Sequence, residues 1–477
     1  MEGQRKKNNL IIDALIFLGA YAFMSGVLAV KRFVLQKAYD DAGIFDYAQS
    51  YWFTVIALGV MLVGFAFYVN VSRKSLTDKP KSLAVILFTM AFTFGVNIVI
   101  ATYNYYFVFI ALSAFILSTL SEENDVFVAN FAVSTMTFAS LFINALGKGE
   151  SGAGFAVMLA VYVLEILIGG VLVKFIKFTY HRVSFIIMGV IIQSGALGVI
   201  FALDLFLKVG TLFAEQVILT IICTYAPVFI ALLLQPLLEN VFGVLSNQKL
   251  VELTDHSSPL IKRLINEAPG TFNHCLSVAS YAEVCAIAIG ENPHFARACA
   301  YYHDIGKLEN PKYFSENQGD ENLHDGLLPE VSAEILRRHT TDGYELCEKY
   351  HIPAEIRDIT IQHHGTLPMA VFYYKAKNLT DSDVDMYDYS YHGVTPESKT
   401  AAIMMICDAA EAAIRAMGKP SPEEVDKLVS GIIADRIERK QFDNCDITMK
   451  DLNTIKNTIV DVYGGHVHKR VKYPSGQ

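Results

Sequence analysis

The first half of this sequence contains long apolar segments, and they restrict the possible fold more than any other feature. A helix needs about 20 apolar residues to cross a hydrocarbon core of about 30 Å. Eight segments approach or exceed that length, and the fourth of them is the shortest. They are residues 10–30, 51–71, 82–102, 105–120, 126–147, 153–176, 184–207 and 214–238. The sequence therefore predicts a polytopic bundle of transmembrane helices over its first 240 residues.

The Lys and Arg residues between these segments predict how the bundle is oriented. One side carries ten of them and the opposite side carries five. The ten are Arg5, Lys6, Lys7, Arg73, Lys74, Lys79, Lys81, Lys174, Lys177 and Arg182, and the five are Lys31, Arg32, Lys37, Lys148 and Lys208. Because positive loops favour the cytoplasmic side, we expect the N-terminus in the cytosol. An even number of crossings then returns the second half of the chain to the cytosol as well.

The two halves of the chain also differ in charge. Residues 1–240 carry 15 Lys/Arg and 14 Asp/Glu, whereas the remainder carries 24 and 34 and has a net charge of −10. An acidic domain binds long nucleic acid poorly, but metal ions can reverse the sign of the charge locally and allow a small phosphate ester to bind. We therefore expect no long nucleic acid among the partners of this half.

The acidic half also contains twelve of the thirteen histidines. The adjacent pair His303-Asp304 ends an apolar run that begins at Pro293, and we expect Gly306 to stop that helix. An imidazole nitrogen beside a carboxylate with two oxygens can serve two cations. Any one such residue is more often a satisfied polar group of a core, but seven candidates in this order are more specific. They are His274, His303, Asp304, His339, His363, His364 and Asp408.

The order H…HD…H…HH…D resembles that of the HD-domain metal-dependent phosphohydrolases. Longer stretches resemble one branch, the membrane-bound seven-transmembrane HD proteins, which are cyclic di-AMP phosphodiesterases of the PgpH type. These stretches are Glu267–His274, Tyr301–Leu308, Tyr313–Gln318 and Gln362–Thr366. The resemblance implies an all-α protein in the bacterial cell membrane. Its parts would be a first transmembrane helix with a short external loop (1–50), a seven-helix transmembrane domain (51–240), a connector (241–270) and a cytosolic HD phosphohydrolase domain (271–477).

The resemblance also implies the chemistry of the site. One divalent metal ion would be held by His274, His303, Asp304 and Asp408, and a second by Asp304, His339, His363 and His364. Asp304 would bridge the two ions, which the resemblance suggests are Fe or Mn. The reaction would open cyclic di-AMP to linear pApA. Lys307 would act as a point charge on a phosphate oxygen, or else only stabilise the end of its helix. The resemblance leaves room for a homodimer.

Other functions stay open at this point. A cyclic di-GMP hydrolase of the HD-GYP type should carry Gly-Tyr-Pro after the double histidine, where this chain has Gly365-Thr-Leu-Pro. An HD hydrolase of alarmones or other nucleotides is a second alternative, although such enzymes are typically soluble. A membrane receptor whose HD domain only binds a nucleotide is a third, and the intact set of metal ligands argues against it.

Two departures from the family pattern bear on regulation. Members commonly carry a large extracellular domain between the first span and the following seven, where this sequence has only residues 31–50. The loop 378–398 is acidic and aromatic, where family members tend to have a more basic, Pro-Gly-rich segment, so the resemblance does not decide whether this loop contacts the nucleotide. Within the spans, Glu165 and Asp204 are costly to bury and are either sensors of a ligand or proton or packing residues. Regulation through the bundle is therefore an expectation centred on Glu165.

Overall fold

The structure is a computed structural model that describes residues 2–40, 47–72, 80–147, 152–175, 180–207, 214–319, 321–380 and 383–466. Regular structure in these ranges is helical throughout, apart from an isolated antiparallel bridge between Pro368 and Ser390. The all-α fold class is thereby confirmed. The chain divides into two compact units, Met1–Gln248 and Lys249–Gln477, so that the boundary between them falls inside the predicted connector.

The first unit contains seven apolar helices that are long enough to span a membrane, together with one shorter helix, among its described residues. The helices are α1 (Glu2–Asp40), α2 (Tyr47–Ser72), α3 (Pro80–Ile100), α4 (Leu112–Leu120), α5 (Glu123–Gly147), α6 (Gly152–Lys174), α7 (Arg182–Leu207) and α8 (Ala214–Phe242). The short helix α4 and most of α3 are buried, which makes them the centre of this unit.

The fourth predicted span, residues 105–120, differs from a continuous membrane helix. A 3₁₀ turn at Tyr105–Phe107 is followed by non-helical chain, and Ala111 has a positive φ of 56° before α4 begins. The side chain of Asn104 starts the turn by accepting a hydrogen bond from the Tyr106 amide. The segment is therefore an interrupted helix, and its break lies among buried side chains.

The outer surface of the first unit is apolar. Large side chains are strongly exposed there, for example Phe206 (83%), Leu205 (81%) and Leu233 (77%). Patches of this kind are costly in water and are accommodated by lipid. Together with the helix lengths, they identify a membrane protein.

The orientation predicted from the charged loops is not addressed by these helices. Several of the residues behind it lie outside the described part of the chain. They are Arg73, Lys74, Lys79, Lys148, Lys177 and Lys208.

The second unit is a bundle of shorter helices. After α9 (Asn247–Leu253) at the boundary, they are α10 (Pro259–Glu267), α11 (Pro269–Ile289), α12 (Pro293–Tyr302), α13 (Pro329–Lys349), α14 (Ala354–Arg357), α15 (Ile359–Gln362), α16 (Ala370–Leu379), α17 (Lys399–Met417), α18 (Pro422–Glu438) and α19 (Met449–His466). Proline occupies the first turn of several of them, where its missing N–H costs nothing. Helix α11 has the length and composition of a membrane span, but it lies within this unit and buries His274.

Candidate metal centre

Five parts of the second unit bring the seven predicted side chains together. His274 lies in the second turn of α11, His303 follows the last residue of α12, and His339 lies in the middle of α13. The pair His363-His364 follows α15, and Asp408 lies in the middle of α17. All seven are buried except His364, which is half-buried. Ligands that are far apart in the sequence are therefore neighbours in the fold.

Gly306 allows two of these parts to approach each other closely. The expectation that it stops α12 is wrong, because α12 ends at Tyr302 and Gly306 lies inside a 3₁₀ helix, Ile305–Glu309. A Cβ atom at Gly306 would lie 1.9 Å from the His339 carbonyl oxygen and 2.4 Å from the Gly343 amide nitrogen. Only glycine fits against α13 at this point, and its close packing places Asp304 beside His339.

Hydrogen bonds at Nδ1 fix the direction of four imidazole rings. The Nδ1 atom of His303 bonds to the Ala300 carbonyl oxygen at 2.8 Å, and that of His363 bonds to the Ile359 carbonyl oxygen at 3.1 Å. His339 uses the Leu336 carbonyl oxygen in the same way, and His274 uses the Glu411 carboxylate at 2.6 Å. A ring that donates its proton from Nδ1 keeps a lone pair on Nε2.

The four Nε2 atoms point at the two oxygens of Asp304 from different sides. Oδ2 lies 3.4 Å from His274 Nε2 and 3.3 Å from His303 Nε2. Oδ1 lies 3.4 Å from His339 Nε2 and 3.7 Å from His363 Nε2. Each oxygen thus faces one pair of imidazoles, which is the arrangement of a carboxylate that bridges two ions.

Asp408 completes the centre. Its Oδ1 lies 3.0 Å from His274 Nε2, and its Oδ2 lies 3.8 Å from His364 Nδ1. Among the described residues, two groups have ligand atoms that all lie within 4.8 Å of one another. They are His274, His303, Asp304 and Asp408, and Asp304, His339, His363 and His364.

The donor atoms fit divalent metal ions. The Nε2 atoms of His339 and His363 face each other at 3.3 Å, and the buried Nε2 of His303 has no hydrogen-bond partner. Lone pairs this close repel each other unless a proton or a cation lies between them. Mixed imidazole and carboxylate donors are typical of Fe, Mn, Co and Zn sites rather than Mg sites.

In the metal-free protein, the histidine pKa values of the two ligand groups are shifted in opposite directions. Burial opposes a charge on His274, but hydrogen bonds to Asp408 and Glu411 outweigh it and raise the pKa to about 10. Burial lowers the pKa of His339 to about 4 and that of His363 to about 3. Burial also opposes the charge on Asp304, yet Lys307 and His303 hold the pKa of that carboxyl well below its ordinary value. The bridging side chain is thus a carboxylate at neutral pH.

Comparison with known proteins agrees with this geometry. Residues 271–413 match the family described as HD domain. The chain is 34% identical over 437 residues to the cyclic-di-AMP phosphodiesterase PgpH of Bacillus subtilis, which covers 88% of this chain and 59% of the relative. It is 43% identical to the PgpH of Listeria monocytogenes over 240 residues, or 50% of this chain and 33% of the relative. This chain belongs to the PgpH-type HD proteins.

A solved structure adds a ligand to the comparison. The crystal structure of the L. monocytogenes PgpH HD domain in complex with cyclic-di-AMP is 43% identical, covers 45% of this chain and 100% of that chain, and has a TM-score of 0.43. The chain spans less than two thirds of the length of the two PgpH relatives. The predicted family is confirmed, and what the relatives bind and cleave is a property of those proteins.

One stretch that carries the PgpH resemblance, Tyr313–Gln318, locks the start of α11 in place. Asn317 Oδ1 accepts hydrogen bonds from the amides of Gly270 and Thr271 at 2.9 Å and 3.2 Å. Glu316 accepts a hydrogen bond from the Thr271 hydroxyl at 2.9 Å and one from Lys307 Nζ at 2.8 Å. This stretch therefore holds the helix that carries His274.

Lys307 lies between two carboxylates. Its Nζ is 2.7 Å from Asp304 Oδ2 and 2.8 Å from Glu316 Oε1, and the side chain is only 12% exposed. Burial opposes its charge, but Asp304 and Glu316 outweigh burial and raise the pKa of the ammonium. In this PgpH-type protein Lys307 is a permanent cation at the edge of the metal centre.

Sequence reasoning missed two residues that contact the ligands. Glu411 lies three residues after Asp408 on α17, binds His274 and is paired with Arg415. Tyr391, in the acidic loop, stacks on the His364 ring with centroids 4.2 Å apart and an interplanar angle of 24°. The spacing Asp408-x-x-Glu411 could have indicated the first, since residues three apart share a helix face. Nothing in the pattern of the loop indicated the second.

Proposed function

We propose that this protein is a membrane-bound, metal-dependent phosphodiesterase that hydrolyses cyclic di-AMP to linear pApA. The observation that carries the proposal is the position of Asp304, whose two oxygens each face a different pair of histidines. Its membership of the PgpH-type HD proteins supports the substrate. The sequence after the double histidine, Gly365-Thr-Leu-Pro, argues against a cyclic di-GMP hydrolase of the HD-GYP type.

We assign a metal ion to each group of ligands, with Asp304 common to both, and expect Fe or Mn. Bound divalent ions would activate water as the nucleophile and neutralise the charge that develops on the phosphoryl oxygens. The chain's own contribution is to aim the Nε2 atoms at the centre, through the hydrogen bonds at Nδ1, and to keep Asp304 ionised. These features fit a reaction that uses no nucleophilic side chain.

Lys307 is proposed to hold the substrate through its charge. Its ammonium is fixed by Glu316 and needs no reorganisation when a phosphate oxygen arrives. With cations bound at Asp304, the charge of that carboxylate would be neutralised and the Lys307 ammonium would attract a phosphate oxygen at short range. The net charge of −10 over residues 241–477 disfavours binding of long nucleic acid.

The organisation of the protein is part of the proposal. We place the N-terminus and the HD domain in the cytosol of a bacterial cell, with a first helix and short external loop (1–50), a seven-helix domain (51–240), a connector (241–270) and the HD domain (271–477). The interrupted fourth segment then has to count as a crossing, since only an even number returns the chain to the cytosol. The family resemblance leaves a homodimer open, and we expect regulation through the bundle.

The experiment is a substrate panel with the full-length protein in lipid nanodiscs. Cyclic di-AMP, cyclic di-GMP, an alarmone and single-stranded RNA are supplied at equal concentration, and metal content and products are measured by mass spectrometry. We expect pApA as the product and turnover of cyclic di-AMP at least about tenfold above the other compounds. Equal or faster turnover of cyclic di-GMP would reject the substrate, and binding without hydrolysis in metal-loaded protein would favour a receptor.

A further inference from the structure

Glu165 is a buried carboxylate at the middle of the membrane unit. It lies in the centre of α6 and is only 3% exposed. The Asn97 amide donates to its Oε1 at 3.4 Å, and the Ser134 hydroxyl is a second hydrogen-bond partner. Both partners are neutral. A charge at this depth in a bilayer is costly unless an opposite charge accompanies it.

The same polar side chains support the interrupted helix. Asn97 accepts a hydrogen bond from the Phe109 amide at 2.9 Å, and Gln193 donates to the Ile110 carbonyl oxygen at 3.0 Å. Backbone that leaves the helix at membrane depth must find partners inside the protein. Asn97 thus connects the break directly to Glu165. In secondary transporters, interrupted helices of this kind form ion-binding sites near the middle of the membrane.

A third polar side chain fixes α6 beside its neighbour. The Asn130 amide donates to the Glu165 carbonyl oxygen at 3.0 Å and accepts from the Ser113 hydroxyl at 2.8 Å. A Cβ at Gly169 would lie 2.4 Å from the Asn130 amide nitrogen, so only glycine leaves room for this side chain. The position of Glu165 is therefore fixed by contacts with two other helices, α3 and α5.

A cavity opens next to the carboxylate. Its volume is about 20 Å³, enough for one or two particles of the size of water. Glu165, Ser134 and Thr137 supply polar oxygens to its wall, and Tyr105, Phe138 and Tyr162 supply aromatic rings. The Thr137 hydroxyl donates to the Val133 carbonyl oxygen at 2.9 Å, which leaves its lone pairs for the cavity.

The chemistry of this wall selects the charge of a ligand. Most of the wall is apolar, and Val108, Leu141, Met158 and Val161 form part of it. None of the described side chains that line the cavity carries a nitrogen atom, so its polar part consists of oxygen atoms and ring faces. Such groups bind cations and repel anions. The volume excludes organic amines. A single carboxylate is neutralised by one positive charge, whereas a divalent ion would leave a buried net charge.

We propose that this cavity is a binding site for a small monovalent metal cation, held by Glu165, Ser134 and Thr137. The ion neutralises the carboxylate and ties α6 to α5 beside the break in the fourth segment. The proposal is independent of the reaction catalysed in the HD unit.

The test is equilibrium binding of ²²Na⁺ to the purified full-length protein in detergent, with ⁸⁶Rb⁺ as a second probe. We expect saturable binding of a single ion per chain and competition by unlabelled Na⁺ but not by choline. Glu165→Gln should abolish binding, and Thr137→Val, which keeps the shape of the side chain, should weaken it about tenfold. Asp204→Asn is the matched control, because it removes another acid of the spans that does not line the cavity and should leave binding unchanged.

Folding of each variant is checked by gel filtration and by the metal content of the HD unit. If Glu165→Gln does not fold, Thr137→Val decides the question. Absence of saturable binding of either cation to the wild-type protein would overturn the proposal. Binding that persists in the Glu165→Gln variant, or that is unchanged in Thr137→Val, would overturn it as well.

Discussion

The membrane unit and the HD unit both bury acidic side chains, and they surround them with different partners. In the HD unit, Asp304 lies within 4 Å of four imidazoles and of the Lys307 ammonium. In the membrane unit, the partners of Glu165 are an amide and a hydroxyl. Burial costs both carboxylates their hydration, but only Asp304 is compensated by a charge supplied by the protein.

The two units therefore differ in whether the protein itself neutralises the buried carboxylate when no ligand is bound. The HD unit has a fixed cation, Lys307, so that Asp304 remains ionised whether or not metal is bound. The membrane unit supplies no such cation to Glu165 from the described residues that line its cavity, so an ionised Glu165 would need a cation or a proton from outside the protein to neutralise it. Metal loss should therefore affect catalysis more than folding in the HD unit. The following predictions test this contrast, beginning with the largest expected effect.

Replacement of the bridging carboxylate should have the largest effect. In Asp304→Ala, both groups lose a ligand at once, and Lys307 loses one of its two carboxylate partners. We expect loss of both metals and a decrease in hydrolysis on the order of 1,000-fold or more. Elemental analysis and initial rates measure this, with the exposed Asp446→Ala as control. Retention of either metal at full occupancy would contradict a bridging role.

His339→Ala should separate the two groups. His339 belongs only to the group of His363 and His364, so the ion held by His274 and His303 should remain. We expect about half of the metal to be lost, while His303→Ala removes the other ion. Anomalous scattering from crystals of the two variants identifies which ion is left. Equal loss of both ions in each variant would show that the groups do not fill independently.

Glu411→Gln should have a smaller effect, because Glu411 acts through His274. The neutral amide cannot polarise the imidazole as the carboxylate does at 2.6 Å. Partners of this type change metal affinity by about 10–100-fold. Metal titration of the stripped protein measures the loss, and the exposed Glu423→Gln serves as control. A loss of thermal stability with unchanged metal affinity would indicate a purely structural role.

Metal binding should release protons at one group and not at the other. In metal-free protein the pKa of His274 is raised to about 10, so its ring is protonated at pH 8 and must lose that proton to bind metal. His339 and His363, with pKa values lowered to about 4 and 3, are already neutral. His303 belongs to the same group as His274, and although burial opposes its charge, Asp304 outweighs burial and raises its pKa as well. Apparent affinity of this group should therefore rise by at least about tenfold per pH unit up to pH ~10.

Calorimetry in buffers with different ionisation enthalpies measures this release. The raised pKa of His274 also makes the stability of the metal-free protein depend on pH. Because the pKa of His274 is raised on folding, its contribution to the free energy of unfolding is complete below about pH 6.5 and disappears as the pH rises through about 10. Buffer-independent heats for both binding steps would contradict the assignment.

The smallest effect is expected from the membrane unit. Glu165→Gln leaves every metal ligand of the HD unit in place, so the metal content should not change. If the bundle regulates hydrolysis, the variant in nanodiscs should differ from wild-type protein in turnover by about 5-fold, the lower end of the usual range for coupling between sites. Any effect of Na⁺ on the turnover of the wild-type protein should be absent from the variant. Identical rates and identical responses would leave the bundle as an anchor.

Much of this protein follows from its sequence. The apolar segments determine a membrane unit, because backbone in a bilayer has to form helices and each helix has to reach across it. The family is recognised from the order of seven ligands and from the stretches around them. The chemical types of the ligands restrict the site to metal binding before any distance is known.

Other features depended on tertiary contacts that a linear pattern does not contain. Gly306 was expected to end a helix, but its role is a close approach to His339 and Gly343 on α13. Glu411 and Tyr391 touch the ligands only because α17 and the acidic loop return to the centre.

The interruption of the fourth segment shows the physical reason most clearly. Its residues are apolar enough for a continuous helix, so the sequence of the segment alone predicts one. The break is stabilised by Asn97 and Gln193, which belong to α3 and α7 and satisfy the backbone of residues 109 and 110. Hydropathy determines that a segment lies in the membrane, whereas its backbone conformation there depends on hydrogen-bond partners supplied by other helices.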